Sequence, residues 1–531
     1  MSVEDAASLA GVSTATIRNW LKTGYLQYAG RGMITRASFE RFQKEVSGKE
    51  KLKQRGNKSR KDDHDHSGVT SSYLCRIASG THASEALGAE YERNLSDSYR
   101  NREGVYYTPP KIVENLFNID VAARPAATFC DPCCGSGNFV ERALSLGFKP
   151  ENIYAFDTDP VAVELTKRRI YEKTGFRSAS VKQADFLEIH SRDCPEKFDV
   201  IFTNPPWGKK LRRKYREQIG NAVRAGASID TCSLFFFACL SALSKGGTLG
   251  LLLPEAFFNI AAFEDARKRA LGYTIGRLVD YGKPFCGLLT KAQGLVLAKS
   301  PDKSNGRILC ESNGEESERT AASFANNPKS ILNMRCSRRD ADAISHIYSL
   351  PHVTLKNNAA WGLGIVTGNN GKFIENKPGE GLIPVFKGAD VTRSGLREPS
   401  CYIPADLSLY QQVAPVEFYE AKEKIIYRFI SSRLCFVYDT EQRFVLNSAN
   451  VLIPDSGFPV RMSVLCDLLN SDFMNWVFSR IFNTYKILRA DLEALPIYPQ
   501  FLGKKTFVEE EYIARLGIKK DRGGAFKIKG G

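Results

Sequence analysis

The segment FDVIFTNPPWGKK sets Asn204, Pro205, Pro206 and Trp207 directly after an apolar, strand-like run. A side-chain amide, rigid carbonyls and an indole are thereby fixed at a strand's end, a set that few structural roles require. The chemistry it suits is methylation of a planar amine. Such a nitrogen is a poor nucleophile, because its lone pair is delocalised into the ring that bears it. If the Asn204 side-chain oxygen and the Pro205 carbonyl each accept one amino hydrogen, the nitrogen is drawn toward a tetrahedral shape and its lone pair turns to the methyl donor. Trp207 would stack on the face of the acceptor, a contact worth about 1–3 kcal/mol for a nucleic-acid base. A base inside a duplex reaches such a pocket only when flipped out, which costs about a few kcal/mol.

A methyl donor needs its own site, and TFCDPCCGSGNFVERAL supplies one. Gly135 and Gly137 follow a strand and precede a helix, so bare backbone amides and a helix N-terminus can meet a ligand closely. The phosphate-binding versions of this loop do not fit: no GK[ST] follows, and the third glycine of the dinucleotide fingerprint is missing. Asp157, in NIYAFDTDP, closes the next strand, where a carboxylate takes up ribose hydroxyls. Asp185 and Phe186, in QADFLEI, close the third and offer an acceptor and an aromatic face to an adenine. Together these elements suggest S-adenosylmethionine. Cys130, Cys133 and Cys134 belong to this loop and have no second cysteine pair at metal spacing, so no metal site is expected.

These residues must be positioned by strands alternating with helices. TFCDP, NIYAFD, ASVKQAD, FDVIFTN and TLGLLLP read as strands, with VERALSLG, PVAVELTKRRIYEKTG and SLFFFACLSALSKGG as helices between them. That alternation predicts an α/β fold: a Rossmann-like, doubly wound parallel sheet over residues 73–335, with its ligand at the carboxyl ends of the strands. From 336 to 505 short aromatic-rich strands such as KIIYRFI and RLCFVYD precede a helix near SVLCDLLNSDFMNWVFSRIF, which predicts a separate mixed α/β domain. Residues 506–531 read as a loose tail.

At the other end, residues 1–46 read as short helices: SVEDAASLA, a break at Gly11, STATIRNWLKT capped by Ser13 and Gly24, and ITRASFERFQKEV. This is a helix-turn-helix pattern and resembles the start of MerR-type DNA-binding domains. The resemblance places Thr14, Thr16, Arg18 and Asn19 on the helix that enters the major groove. The charged, aperiodic stretch across residues 47–72 reads as a flexible linker.

Composition agrees with an anionic partner. Seventy-four Lys and Arg against 59 Asp and Glu leave +15 at neutral pH, which favours nucleic acid. Thirteen cysteines, odd in number and scattered, argue for reduced thiols. No apolar run of about 18 residues and no secretory start pattern occur, so a membrane span is not expected and the cytoplasm is.

The order of motifs from about Gly104 to Lys299 resembles the gamma-class adenine-N6 DNA methyltransferases of bacterial restriction-modification systems of type II. The resemblance implies that Tyr107, Thr108 and Pro109, in EGVYYTPPKIVENL, help hold the methionine part of the cofactor. It assigns the loop with Asp131, Cys134, Gly135 and Gly137 to the cofactor, Asp157 to its ribose, and Asp185, Phe186 and Phe235 to its adenine. Asn204 to Trp207 go to the flipped base, with Phe285 on its other face. Trp207 stands where the family more usually has Tyr or Phe.

The run KKLRRKYR, six basic residues in eight, follows at once and is read as a phosphate contact through Lys209, Lys210, Arg212, Arg213 and Lys214. The C-terminal region resembles the family's target-recognition domains, most clearly in LLNSDFMNWVFSRIF and ADLEALPIYP. The expected partners are double-stranded DNA and a separately encoded restriction endonuclease. Three alternatives stay open at this stage. One is the same chemistry on the cytosine N4 amine, one is methylation of an RNA base or a protein glutamine, and one is a helix-turn-helix regulator with an inert methyltransferase fold.

Overall fold

Five runs form mutually parallel strands: β1 (Phe129–Asp131), β2 (Ile153–Asp157), β3 (Val181–Gln183), β4 (Phe198–Thr203) and β5 (Leu243–Pro254). β1, β2, β4 and the second half of β5 are nearly all apolar, as strands buried on both faces require, whereas the edge strand β3 exposes Lys182 and Gln183. Ile201 on β4 joins a core with Phe156, Phe236 and Leu251, while Val200 and Phe202 point into another with Phe129 and Phe139. Four more strands extend the sheet: β6 (Tyr273–Gly282), β7 (Ala292–Pro301), β8 (Arg307–Ser312) and β9 (Glu315–Thr320). The spatial order is β9-β8-β6-β7-β5-β4-β1-β2-β3, with β7 antiparallel to both neighbours. Strand order reverses between β1 and β4, so a crevice opens at their carboxyl ends. This is the doubly wound α/β class predicted from the sequence.

The computed structural model describes all residues except 11–13, 15–16, 18–25, 27, 31–32, 46–65, 96, 118–125, 191–196, 286–287, 289, 302–305, 483, 504, 522 and 530–531. Its Cα framework divides into two units, Lys61–Arg338 and a second built from Met1–Arg60 with Arg339–Gly531. Among the described residues no helix is long and apolar enough to cross a membrane.

Helices pack on the sheet of the first unit with legible ends. Pro160–Thr174 starts with Asp159 accepting from the Val161 N–H and ends at Gly175, whose φ of 70° is the left-handed cap conformation. The helix His66–Ser79 covers the end of the stretch read as linker. It forms through tertiary packing: Tyr73 and Ile77 are buried with Leu87, Tyr91, Val161 and Leu165.

The second unit contains a four-stranded antiparallel sheet, Ala359–Leu363, Ala449–Pro454, Lys424–Arg428 and Phe436–Asp439 in spatial order. A three-stranded sheet and the helices Met462–Asn470 and Asp472–Ile481 accompany it. The expected loose tail is folded instead. Helix Glu509–Arg515 and the strand pair Ile518–Lys520 with Phe526–Ile528 close on the body, and Phe526 packs 5.5 Å from Phe473 and 5.3 Å from Trp476. Burial of Phe526 together with Tyr512, Ile513, Leu516 and Ile518 holds so short a ribbon.

At the N-terminus, helices Val3–Ala10 and Arg36–Glu45 and the ribbon Tyr28–Gly30 with Met33–Ile34 share a small core with Ile17 and Phe39. Thr16, Arg18 and Asn19, read as groove-facing, lie outside the described residues.

Candidate active site

The carboxyl ends of β1, β2 and β4 surround a cleft of about 1100 Å³, its open mouth included. Its glycine loop is built by hydrogen bonds from two sides. The Cys134 N–H donates to the Phe156 carbonyl (2.9 Å), and the Gly135 N–H donates to Asp157 Oδ2 (2.9 Å). The Thr166 hydroxyl donates to the Gly135 carbonyl (3.1 Å). Gly135, with φ of 49°, must be glycine for a second reason: a Cβ there would lie 2.7 Å from the Tyr107 ring. Gly137, with φ of 88°, caps the helix Asn138–Ser145.

Two carboxyls beneath the loop are buried, and burial pushes Asp131 up to about 7 and Asp157 up to about 6, against the N–H donors that pull each down. Asp185 accepts from the Leu187 N–H (2.9 Å) and from the Tyr215 hydroxyl (2.8 Å). Phe186 and Phe235 line the cleft with rings 13° from parallel and centroids 6.4 Å apart. His190 backs Phe186 at 4.2 Å, and burial lowers its pKa to about 4.

Tyr107 and Thr108 line the cleft, and the Thr108 carbonyl accepts from Asn138 Nδ2 (2.8 Å). Pro109 sits behind them as the cap of helix Pro110–Leu116. Asp131, Gly137 and Pro109 are therefore scaffold around the cleft, while Cys134, Gly135, Asp157, Asp185, Phe186 and Phe235 form its wall.

The Asn-Pro-Pro-Trp loop leaves β4 at the edge of the same cleft, and Asn204 and Pro206 line it. Asn204 Nδ2 donates to the Tyr106 carbonyl at 2.8 Å, which fixes the amide. Its Oδ1 is buried and accepts no hydrogen bond. Pro206 has its carbonyl beside Cys232 Sγ at 3.5 Å.

Trp207 is 7% exposed and its indole N–H donates to the Leu252 carbonyl at 3.3 Å. Phe285 is 8% exposed. These two rings, expected on opposite faces of a base, meet edge to face at 5.4 Å and 83°. Tyr106, which the sequence reading passed over, completes the cluster at 5.5 Å from Phe285 and 6.3 Å from Trp207.

The basic run lies along the rim. Lys209 lines the cleft and pairs with Glu103 at 3.0 Å, whereas Lys210, Arg212, Arg213 and Lys214 are exposed. In the second unit, Tyr485 is 71% exposed and Ile430 52%, and the two sit on adjacent segments joined by the Ser431 N–H to the Tyr485 carbonyl (2.9 Å). Arg428, Arg433 and Lys486 flank them.

A doubly wound sheet whose carboxyl edge gathers a glycine loop, a buried carboxylate and the start of an Asn-Pro-Pro-Trp loop at one cleft has the architecture of a nucleoside-cofactor methyltransferase. Residues 82–352 match the family model for N-6 DNA methylases, and residues 383–497 match the TaqI-like C-terminal specificity domain. The chain is 47% identical over 395 residues to the type II methyltransferase M.VspI of Vibrio sp. (strain 343), an alignment spanning 74% of this chain and 97% of that one. Its fold is similar to the type IIL restriction-modification enzyme MmeI solved in complex with DNA (TM-score 0.50, 12% identity, 80% of this chain and 71% of that one). It is also similar to that of DrdV in a DNA complex (TM-score 0.52, 11% identity, 94% and 65%). The chain belongs to the N-6 DNA methylase family and is an S-adenosylmethionine-dependent DNA methyltransferase acting on the adenine N6 amine.

Proposed function

We propose that the chain methylates one adenine within a specific duplex sequence, as the modification enzyme of a restriction-modification system whose endonuclease is encoded separately, in the cytoplasm. Residues 73–335 carry the transfer, 336–505 recognise the target, and 1–46, joined through 47–72, add a DNA contact through Arg18 and Asn19.

The observation that carries the site is the buried Asn204 Oδ1: an acceptor on a residue that lines the cleft, its amide fixed by Tyr106 and its lone pairs unused. A buried acceptor left empty costs about 1–3 kcal/mol, and an incoming amino group meets that need. Asn204 and the Pro205 carbonyl take the two amine hydrogens and orient the nitrogen lone pair.

The cleft fits the cofactor through its bare Gly135 backbone, the Asp157 carboxylate and the parallel Phe186 and Phe235 rings. Bound there, S-adenosylmethionine supplies the electrophilic methyl group. Asp157 accepts from ribose hydroxyls, Asp185 accepts the adenine amino group, Phe186 and Phe235 bracket the adenine, and Tyr107 and Thr108, backed by Pro109, flank the methionine part. Trp207, anchored by Leu252, is the fixed wall for the flipped base, and Phe285, whose ring carries no such anchor, is the wall that moves. Lys210, Arg212, Arg213 and Lys214 contact phosphates. Tyr485 and Ile430, an apolar tip among cations, suit a DNA groove.

The test is tritiated methyl transfer from S-adenosylmethionine to unmethylated genomic DNA, with digestion and separation of the labelled nucleosides. Label in N6-methyladenine, confined to one sequence context, is expected. Label in N4-methylcytosine overturns the base assignment, and DNA binding without transfer overturns the enzymatic reading in favour of a regulator.

A further inference from the structure

The basic run Lys209–Arg216 is tied down at both ends while its middle is exposed. At one end Lys209 Nζ pairs with Glu103 (3.0 Å), and the Lys209 carbonyl accepts from the Thr231 hydroxyl (2.6 Å). Near the other end the Tyr215 hydroxyl donates to Asp185 Oδ2 (2.8 Å) from the first turn of the helix Arg213–Ala222. Between them Leu211 lines the cleft, and Lys210, Arg212, Arg213 and Lys214 are exposed. Arg213 is engaged with Glu217 (2.8 Å), a solvent-exposed pair of small value.

Asp185 is thus held from two directions, Oδ1 by the Leu187 N–H (2.9 Å) and Oδ2 by Tyr215 (2.8 Å). Burial and the adjacent Asp185 carboxylate push the Tyr215 phenol well above its ordinary pKa, so it stays a neutral donor. A carboxylate offers about four lone-pair positions. Two remain for a ligand, and Tyr215 sets where they point.

We infer that Tyr215 is a positioning residue that couples cofactor binding to DNA binding, because one hydrogen bond joins the exposed basic run to the carboxylate facing the cofactor cleft. The inference rests on the reading of Asp185 as the adenine acceptor. Phosphates that order the exposed cations order the run, and the run orders Asp185. A cofactor that engages Asp185 favours the same arrangement. By linkage the coupling is reciprocal: DNA tightens the cofactor by the factor with which the cofactor tightens DNA.

The experiment measures the Kd of S-adenosylhomocysteine by calorimetry, alone and with a saturating duplex fragment that the enzyme methylates. For the unaltered protein DNA is expected to tighten binding by about 5- to 50-fold. Tyr215→Phe keeps the ring and loses the donor. It should weaken binding without DNA by about 3- to 10-fold and reduce the DNA-dependent tightening to about 2-fold or less. A triple variant, Lys210→Ala with Arg212→Ala and Lys214→Ala, alters only exposed positions. With the duplex raised until this variant is again saturated, the tightening should fall to about 2-fold or less, and full tightening there overturns the coupling.

Full tightening retained in Tyr215→Phe, or none in the unaltered protein, overturns the coupling. Asp185→Ala separates the two layers. If it leaves the Kd unchanged, the adenine reading and the inference built on it both fail; if it weakens binding while Tyr215→Phe behaves as the unaltered protein, only the inference fails.

Discussion

Gly104 is the position where one methyl group should do most damage to catalysis. It has φ of 70°, and a Cβ built on it lies 2.5 Å from both the backbone N and the carbonyl O of Trp207. The two segments are joined there by the Trp207 N–H donating to the Gly104 carbonyl at 3.2 Å, and two residues on, the Tyr106 carbonyl accepts from Asn204. Gly104→Ala adds about 1–2 kcal/mol for the left-handed backbone and about 1–3 kcal/mol for the overlap with main chain that has no rotamer to yield. Parting the segments relieves the overlap of about 1–3 kcal/mol and gives up two hydrogen bonds of roughly 1 kcal/mol each. The two are of one size, so the overlap shifts the Trp207 loop and loosens the anchor of Asn204.

A displacement of about 1 Å at a reacting centre costs about 10²-fold, so kcat should fall by that order, while S-adenosylhomocysteine binding changes far less. Single-turnover methyl transfer reads the effect. Gly208→Ala is the matched control: φ there is 69°, but nothing lies within 4 Å of its Cβ, so only the backbone term applies. If Gly104→Ala and Gly208→Ala lose activity equally, contact with the Trp207 backbone is not what holds the loop.

Two further outcomes follow from the same cleft. Asn204→Ala removes the acceptor and leaves the loop at Gly135 intact; kcat should fall by about 10²–10³-fold with the Kd for S-adenosylhomocysteine unchanged by calorimetry, and full turnover would sink the mechanism. Asp157 has its pKa raised by burial to about 6, so it is ionised only above that pH. Its folded-state pKa lies above the unfolded value, so its favourable contribution to stability is present below the unfolded pKa and is lost as pH rises through about 6. Ribose hydroxyls need the ionised form, so cofactor affinity runs the other way and should weaken about tenfold per unit as pH falls below 6. Titration of the S-adenosylhomocysteine Kd from pH 5 to 8 checks this, and Asp157→Asn should flatten the profile.

Much of the catalytic unit was legible because its signals are local. FDVIFT can be buried only as an interior strand, and Asp159, Pro160 and Gly175 mark both ends of one helix without help from the rest of the chain. What escaped depends on contacts distant in sequence. HSGVTSSYLCRIAS is poor in helix formers and folds as a helix by packing on Val161 and Leu165. Tyr106 and Tyr107 are neighbours with opposite surroundings, one against Trp207 and Phe285, the other against Gly135, and nothing in the sequence separates them. Tyr215 looked like a spacer in a basic run until Asp185 stood beside it. The specificity half has strands of two to six residues, too short for a period to declare a partner.

The prolines after Asn204 have a role that three neighbouring turns make visible. Asp131, the last residue of β1, Asp157, the last of β2, and Asp185, two residues past β3, each accept, through Oδ1, from the N–H two residues on: Cys133 (3.1 Å), Asp159 (3.0 Å) and Leu187 (2.9 Å). This turn is what a short polar side chain ordinarily does at a strand's end. Asn204 occupies the corresponding place on β4, but the residue two positions on is Pro206, which has no N–H. The local bond that would occupy Asn204 Oδ1 cannot form, and the acceptor is left without a partner. Pro206→Ala restores the donor; a new hydrogen bond of about 0.5–1.5 kcal/mol competing for the acceptor lowers kcat by about 2- to 12-fold. Pro205→Ala introduces an N–H one residue too early to close the turn, so it relaxes the backbone without supplying the competitor. Single-turnover rates should therefore rank Pro206→Ala several-fold below Pro205→Ala, and equal losses would assign the prolines to rigidity alone.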